Sequence, residues 1–301
     1  MKKFLSVLMA GAMLFGVLTL AGCGDTTESA AEEGTTTEDT TTTAEFTTVT
    51  EGVLTMSTNA AFPPYEMTDD SGNIVGIDAE IAAAIAEKLG LELQIDDMDF
   101  DGALAAPQSG KSDIVMAGVT VNEERQLVLD FSNTYANGVQ KVIVAEGSDI
   151  TMENLGEQQI GTQKGTTGNI LTTDEFGEDH VIAYDDAIAA VQALNNGQID
   201  CVVIDSAVAD NLVEANPGLT TLDTDYANEE YAIGVAKGNT ALLDAINTAL
   251  QELIDDGTVQ SIIDKYIPTD GTAADEAGTT DEAGATDEAG ATDGAEADTA
   301  A

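Results

Sequence analysis

The sequence predicts an α/β protein. Short apolar runs of strand length alternate with segments whose apolar residues recur at helical spacing, from Val53 to about Ile267. Glycines fall where those helical segments should stop. Hydrophobic content is 43%, enough for a packed core, yet aromatics are only 4% and Trp is absent. The core is therefore expected to be aliphatic.

The elements follow in order. VLTMST (53–58) reads as a strand ending at a turn. Asp78 to Leu89 reads as a helix, with Ile81, Ile85 and Leu89 on one face and Gly90 as its stop. LELQID (91–96) is the next strand, and IVMAGV (114–119) is another. KVIVA (141–145) and QIGTQ (159–163) repeat the pattern. Asp185 to Asn195 carries Ile188, Val191 and Leu194 at helical spacing, before the buried strand IDCVVID (199–205). YAIGVA (231–236) is a strand. Thr240 to Asp255 is an amphipathic helix with Leu243, Ile246, Leu250 and Leu253 on one face. A short helix bearing Val259, Ile262 and Ile263 closes the body, and the sheets are expected to be mostly parallel.

Charge excludes several classes of function. There are 56 Asp plus Glu against 9 Lys plus Arg, a net charge of -47. The body, 51–268, is acidic by itself, with 39 acidic and 7 basic residues. No basic patch exists to meet phosphates, so no nucleic acid is expected as a partner. One His and two Cys offer no transition-metal site, and no cofactor is expected. Cys201 lies in an apolar run and reads as a small buried hydrophobe.

The ends read as an address and two solvated segments. Residues 1–22 join a basic start to an apolar run, Phe4 to Leu20, and end in small residues, as in a secretory signal peptide. Leu20-Ala21-Gly22-Cys23 resembles a bacterial lipobox, which implies a diacylglycerol on Cys23 and cleavage before it. Residues 23–50 are Thr- and Glu-rich and read as a flexible tether. Residues 269–301 repeat DEAG at a six-residue period and read as a disordered acidic tail.

Parallel strands place ligands at their carboxyl ends. The residues after the predicted strands are Asn59 to Tyr65, Gly118 to Arg125, Gln163 to Gly168, and Asp205. They hold hydroxyls, glycines, a carboxylate and Arg125, the only arginine in the chain. That set suits a zwitterion: a guanidinium for a carboxylate, an aspartate for an ammonium.

Five segments carry a closer likeness: FPPYE (62–66), GNIVGIDAEI (72–81), AGVTVNEERQLVLDFSNTY (117–135), QKGTTG (163–168) and GQIDCVVID (197–205). In this order they resemble the polar amino-acid-binding proteins of ABC importers, solute-binding protein family 3, over about 53–267. The resemblance implies a two-lobed periplasmic-binding-protein-like (type II) fold with two crossover hinge strands. Lobe 1 would be 51–136 plus 230–268, and lobe 2 would be 138–228. By the same resemblance, Arg125 grips the ligand carboxylate, Thr120 adds a hydroxyl and an N–H, and the Gly118 carbonyl accepts from the ammonium. Asp205 pairs with that ammonium from lobe 2, where Thr166 and Thr167 supply further donors. Phe62 and Phe100 sandwich the ligand side chain, and Asn59 meets its polar end. Asp205 has a second reading, as the N-cap of a helix from Ser206, and Phe62 and Phe100 a second reading as core.

The resemblance implies a lipid-anchored monomer on the outer face of a bacterial cell membrane. It would hand a free amino acid to a permease and an ATPase, and would not be an enzyme. Asn59 replaces the aspartate that many cationic-ligand binders carry, and Gln163 falls where another member of the family has lysine, so a neutral polar ligand is favoured. A ligand-sensing receptor, or a dehydratase-type enzyme on the same fold, is the alternative. Two departures from the family pattern are Asn122, expected to cap the helix that follows it, and Pro107, expected to shorten or kink the helix containing it.

Overall fold

The computed structural model describes residues 46–223 and 225–268. The signal peptide, Cys23, most of the tether and the acidic tail lie outside the described residues.

The chain opens with strand β1 (Val53–Thr58), then three short strands, β2 (Ala61–Phe62), β3 (Glu66–Thr68) and β4 (Ile74–Val75), which form their own small antiparallel sheet. Next come helix α1 (Ile77–Leu89), β5 (Glu92–Asp97), α2 (Phe100–Ala105), β6 (Ile114–Val115) and α3 (Glu123–Gln126). β7 (Leu129–Ala145) is the longest strand, at 17 residues. Then follow a 3-10 turn (Met152–Glu157), β8 (Ile160–Gln163), α4 (Thr167–Phe176), β9 (Val181–Tyr184), α5 (Ala187–Asn195), β10 (Cys201–Asp205), α6 (Ser206–Ala215) and β11 (Leu219–Thr221). β12 (Ala227–Ala236), α7 (Thr240–Asp255) and α8 (Thr258–Tyr266) complete the described chain.

One large sheet runs β5-β1-β6-β12-β7-β10-β8-β9, with β11 also paired to β7. Its two flanks are parallel: β5, β1 and β6 on one side, β10, β8 and β9 on the other. Every pairing made by β7 or β12 is antiparallel. The expectation of mostly parallel sheets is therefore corrected. Two long strands cross between the flanks in opposite directions, and each must meet its neighbours head to tail.

The helices bury the faces their sequences provide, with two shifts. In α1, Ile81 and Ile85 are fully buried. In α7 the buried row is Leu242, Ile246, Ala249, Leu250 and Leu253, so Leu242 and not Leu243 points inward. In α5, Ala187, Ala190, Val191 and Leu194 face in, and Ile188 is 42% exposed. Small alanines let α5 approach the sheet closely, which a larger residue would prevent. Leu54, Met56, Ile81, Ile85, Ile246, Leu250 and Val259 belong to one cluster. Val142, Val144, Ile160, Cys201 and Val203 form another at the far end of β7. Burying each such branched side chain contributes roughly 1.5–3 kcal/mol. α2 stops at Ala105, two residues before Pro107, and Asn122 caps α3 by accepting the Arg125 backbone N–H at 2.8 Å.

Candidate functional site

The cavity of interest lies where strand ends from both flanks meet the crossover strands. Its atom-free space is about 310 Å³, mouth included. One flank contributes Asn59, Phe62 and Glu66 after β1, Phe100 from α2, and Ala117, Gly118 and Thr120 after β6. The other contributes Gln163, Thr166 and Thr167. The crossover strands contribute Gln140, Glu229 and Tyr231, and Arg125 reaches in from α3.

Arg125 is held by its local sequence. Asn122 starts the short helix α3 and fixes the backbone of the arginine. The side chain is 6% exposed. Its Nη1 donates to the Thr120 carbonyl at 2.8 Å, and its Nη2 to the Gly165 carbonyl at 3.1 Å. The guanidinium lies 5.3 Å from the Phe100 ring centre, within cation–π range. Burial pulls its pKa down and the Glu229 charge opposes that shift. A guanidinium remains protonated under such a shift.

Contacts close the cavity from both sides. Thr167 Oγ1 donates to Thr120 Oγ1 at 2.9 Å. Gln163 Nε2 donates to Asn59 Oδ1 at 2.8 Å, while Asn59 Nδ2 donates to the Met98 carbonyl at 2.8 Å. Outside the cavity, Lys164 pairs with Asp101 at 2.7 Å on an exposed rim, where such a pair contributes little. Thr166 caps α4, so the N-terminus of that helix opens on the site with its N–H groups unused by helical bonds. Gly118 has φ 53, and a Cβ there would lie 2.8 Å from the Phe62 ring. Only glycine lets the backbone turn and touch that ring.

Eight of the nine expected binding residues line this cavity: Asn59, Phe62, Phe100, Gly118, Thr120, Arg125, Thr166 and Thr167. Asp205 is not among the lining residues; its second reading, as a helix N-cap, is what its contacts show. Its side chain is fully buried, and Oδ1 accepts the Ala207 and Val208 N–H groups at 2.8 and 3.1 Å as the N-cap of α6. Oδ2 accepts from the Tyr231 hydroxyl at 2.9 Å. A strand-end aspartate followed by a helix satisfies that helix first, because its orphan N–H groups have no other acceptor.

Four polar wall residues had no assigned role in the sequence: Glu66, Gln140, Glu229 and Tyr231. Glu229 is 5% exposed. Alternation along the return strand was the signal for Glu229 and Tyr231, since residues two apart share a face.

Several carboxyl groups gather beneath the wall. Asp78 accepts the Gly118 N–H at 2.9 Å and the Tyr135 hydroxyl at 2.7 Å. Burial, opposed by those bonds, pushes its pKa up to about 6. Burial likewise pushes Asp205 up to about 6, with the Glu229 charge adding to the rise. Glu66 is raised well above the usual range by burial first and by Asp78 next, which favours its neutral form. Between about pH 4 and 6 the folded chain thus holds more protons than the unfolded chain, so stability falls as pH rises through that window. Going from pH 7 to 5 should return about 1 kcal/mol each for Asp78 and Asp205, with Glu66 acting in the same direction. Melting temperature is expected to rise by roughly 5 °C or more. A calorimetric scan at pH 7, 6 and 5 that shows a flat or falling value would refute this.

A two-flanked α/β fold with two crossover strands and a polar cleft between the flanks defines a solute-binding protein of the two-lobed type. The sequence profile of the bacterial extracellular solute-binding proteins, family 3, matches residues 54–269. The chain belongs to that family. It is 29% identical to a probable histidine-binding protein of Neisseria gonorrhoeae, over 91% of this chain and 98% of the other. It is 30% identical to the L-cystine-binding protein of Escherichia coli, over 86% and 96%. Among solved structures, an ancestral arginine-binding protein bound to glutamine superposes with a TM-score of 0.69 at 39% identity, covering 72% of this chain and 99% of that one. The fold is therefore the two-lobed periplasmic-binding-protein-like type II architecture.

Proposed function

We propose that this chain captures a free amino acid between its lobes and delivers it to the permease and ATPase of an ABC importer. One observation carries the reading. The only arginine among 301 residues is buried in the cleft, beside the Thr120 hydroxyl and the open N-terminus of α4. A planar fork, a hydroxyl and free backbone N–H groups make a receptor for one carboxylate. The ligand carboxylate would sit there, and its side chain would run between Phe62 and Phe100 toward Asn59 and Gln163.

The far end favours a neutral polar side chain. It is lined by two amides, and Gln163 Oε1 is buried with no partner among the described residues. An unpartnered buried acceptor asks for a donor, such as a ligand amide. Lobe 1 as 51–136 with 230–268 and lobe 2 as 138–228 fit the exchange of sheet partners along β7 and β12. The family is one of solute-binding proteins, and we read this member as a binder, not an enzyme. The LAGC sequence at 20–23 supports a lipid anchor on Cys23 and a place on the outer face of the cell membrane. No described helix is long and apolar enough to cross a membrane. We take the protein to act as a monomer.

A thermal-shift screen of the body, 51–268, against the twenty amino acids, cystine and ornithine tests the reading. One ligand or a small set should stabilise the fold by about 2.7 kcal/mol at a hundredfold excess over Kd. No shift with any of them would overturn it.

A further inference from the structure

We propose that the two lobes repel each other as they close, and that Lys164 is the counter-ion at the cleft mouth that lets them meet, so that salt tightens ligand binding. The inference rests on the amino-acid reading above, and Lys164 itself does not line the cavity. Both lobes are acidic. Residues 51–136 with 230–268 hold 22 acidic and 5 basic residues, and residues 138–228 hold 16 and 2. Closing the cleft brings two bodies of one sign together, and such self-repulsion opposes the compact form. The ligand does not share in this. An amino acid with a neutral side chain has no net charge, so its own approach is nearly insensitive to salt. A salt dependence of its affinity then reports the closing of the lobes.

The other contacts across the cleft carry no ion pair: Thr167 with Thr120, Gln163 with Asn59, and Arg125 with the Gly165 carbonyl. Of the ion pairs among the described residues, Lys164–Asp101 alone joins the two lobes. Those of Lys88, Lys237 and Lys265 lie within lobe 1. Lys164 is fixed in the turn before α4, where its backbone N–H donates to the Tyr184 carbonyl at 2.8 Å. Its Nζ lies 2.7 Å from Asp101 Oδ2. The charges of Asp99, beside α2 like Asp101, and of Asp185, which follows β9 on its own lobe, also act on it.

Asp101 does not simply reach into water. A Cβ at Gly165 would lie 2.3 Å from its other oxygen, Oδ1, so the carboxylate rests against the backbone of the opposite lobe. Arg125 is also within range of the Asp101 charge, but its Nη groups are given to Thr120 and Gly165. An exposed pair adds little by itself. Its loss leaves Asp99 and Asp101 facing Asp185 without the cation between them, and like charges set against each other across an interface are strongly unfavourable.

The test is calorimetry on full-length protein with L-glutamine, L-asparagine and L-histidine at about pH 7.5, where each is uncharged overall. It is run in NaCl of about 0.02 M and about 0.5 M. The wild type should bind about threefold more tightly at high salt. Lys164→Met should bind about tenfold more weakly than wild type at low salt, and within about threefold of it at high salt. Adding Asp101→Asn to Lys164→Met should restore most of the lost affinity. Lys141→Met removes the same charge from the same lobe, on β7 opposite Ile204, and should stay within about twofold of wild type. A wild-type affinity that is flat or falls with salt overturns the proposal. So does a Lys164→Met deficit that persists at high salt, that Asp101→Asn leaves in place, or that Lys141→Met equals. Should none of the three amino acids bind, the ligand-free chain decides. Spin labels at Glu87→Cys and Asp210→Cys mark one exposed position on each lobe, in a Cys23→Ser background with Cys201 buried. At low salt Lys164→Met should show a smaller closed population than its Lys164 parent, and equal populations overturn the proposal. The amino-acid reading stands or falls separately, on the thermal-shift screen.

Discussion

Replacing Arg125 with alanine should weaken ligand binding by about 2–5 kcal/mol, or roughly 30- to several-thousandfold. Most of that cost comes from a ligand carboxylate left desolvated and unpaired in a closed cleft. The size follows from burial: at 6% exposure the guanidinium has little competing water. The substitution also removes the bonds to the Thr120 and Gly165 carbonyls and the contact with Phe100. Since Gly165 belongs to the opposite side of the cleft, one arm of the arginine already bridges it. Arg125→Lys keeps the charge and loses the fork, so it should fall between wild type and alanine. Calorimetry with the best ligand of the screen measures both variants. An Arg125→Ala protein that binds with unchanged affinity would remove the arginine from the site.

The largest effect on stability is expected at Gly76. Its φ is 130, and a Cβ placed there would lie 2.3 Å from the Tyr65 carbonyl oxygen and 2.8 Å from that of Pro64. Both are backbone atoms, which cannot rotate aside. The same carbonyls receive the first N–H groups of α1: Ile77 N to Pro64 O at 3.1 Å, and Asp78 N to Tyr65 O at 2.9 Å. Gly76→Ala therefore meets φ strain and a backbone clash together, and should cost about 3–5 kcal/mol. That corresponds to a fall of roughly 10 °C in melting temperature for a body of this size. Gly72→Ala is the matched control, with φ 85 and nothing within 4 Å of its Cβ, so strain acts alone. It should cost about 1 kcal/mol. Equal losses in urea unfolding of the two variants would show that the clash is relieved by movement of the chain.

Much of the fold was legible because its elements carry their own period. β1 was read at its observed bounds, and α1 and α7 to within a residue, since each presents an unbroken apolar face. β7 was not. Only KVIVA stood out, and the strand begins twelve residues earlier, at Leu129. Residues such as Ser132, Asn133 and Asn137 break the alternation, and the strand exists through its partner β12 more than through its own pattern. β6 was overread for the opposite reason. IVMAGV is apolar throughout, but only Ile114 and Val115 pair, and the rest turns toward the cavity at Gly118.

The cavity wall was legible in the sequence where it is built from strand ends. That rule pointed to Phe62, the threonines and the arginine, which line the cavity, while Phe100 came from the family resemblance. At Asp205 a strand end is also a helix start, and the carboxylate caps α6 from beneath the wall. Glu229 was hidden by company. With 56 acidic residues in the sequence, nothing but burial sets one of them apart.

The position of β12 has a consequence for how the chain is made. It lies between β6 and β7, although 81 residues separate the end of β7 at Ala145 from its own start at Ala227. A ribosome releases β6 and β7 long before the strand that joins them. Until then each shows an open edge, with main-chain groups free to pair with the wrong partner. The region from β8 to β11 needs only the end of β7 and can complete itself first. The flank built on β1 must wait for the return of the chain, and its closure is the last and least local step of assembly.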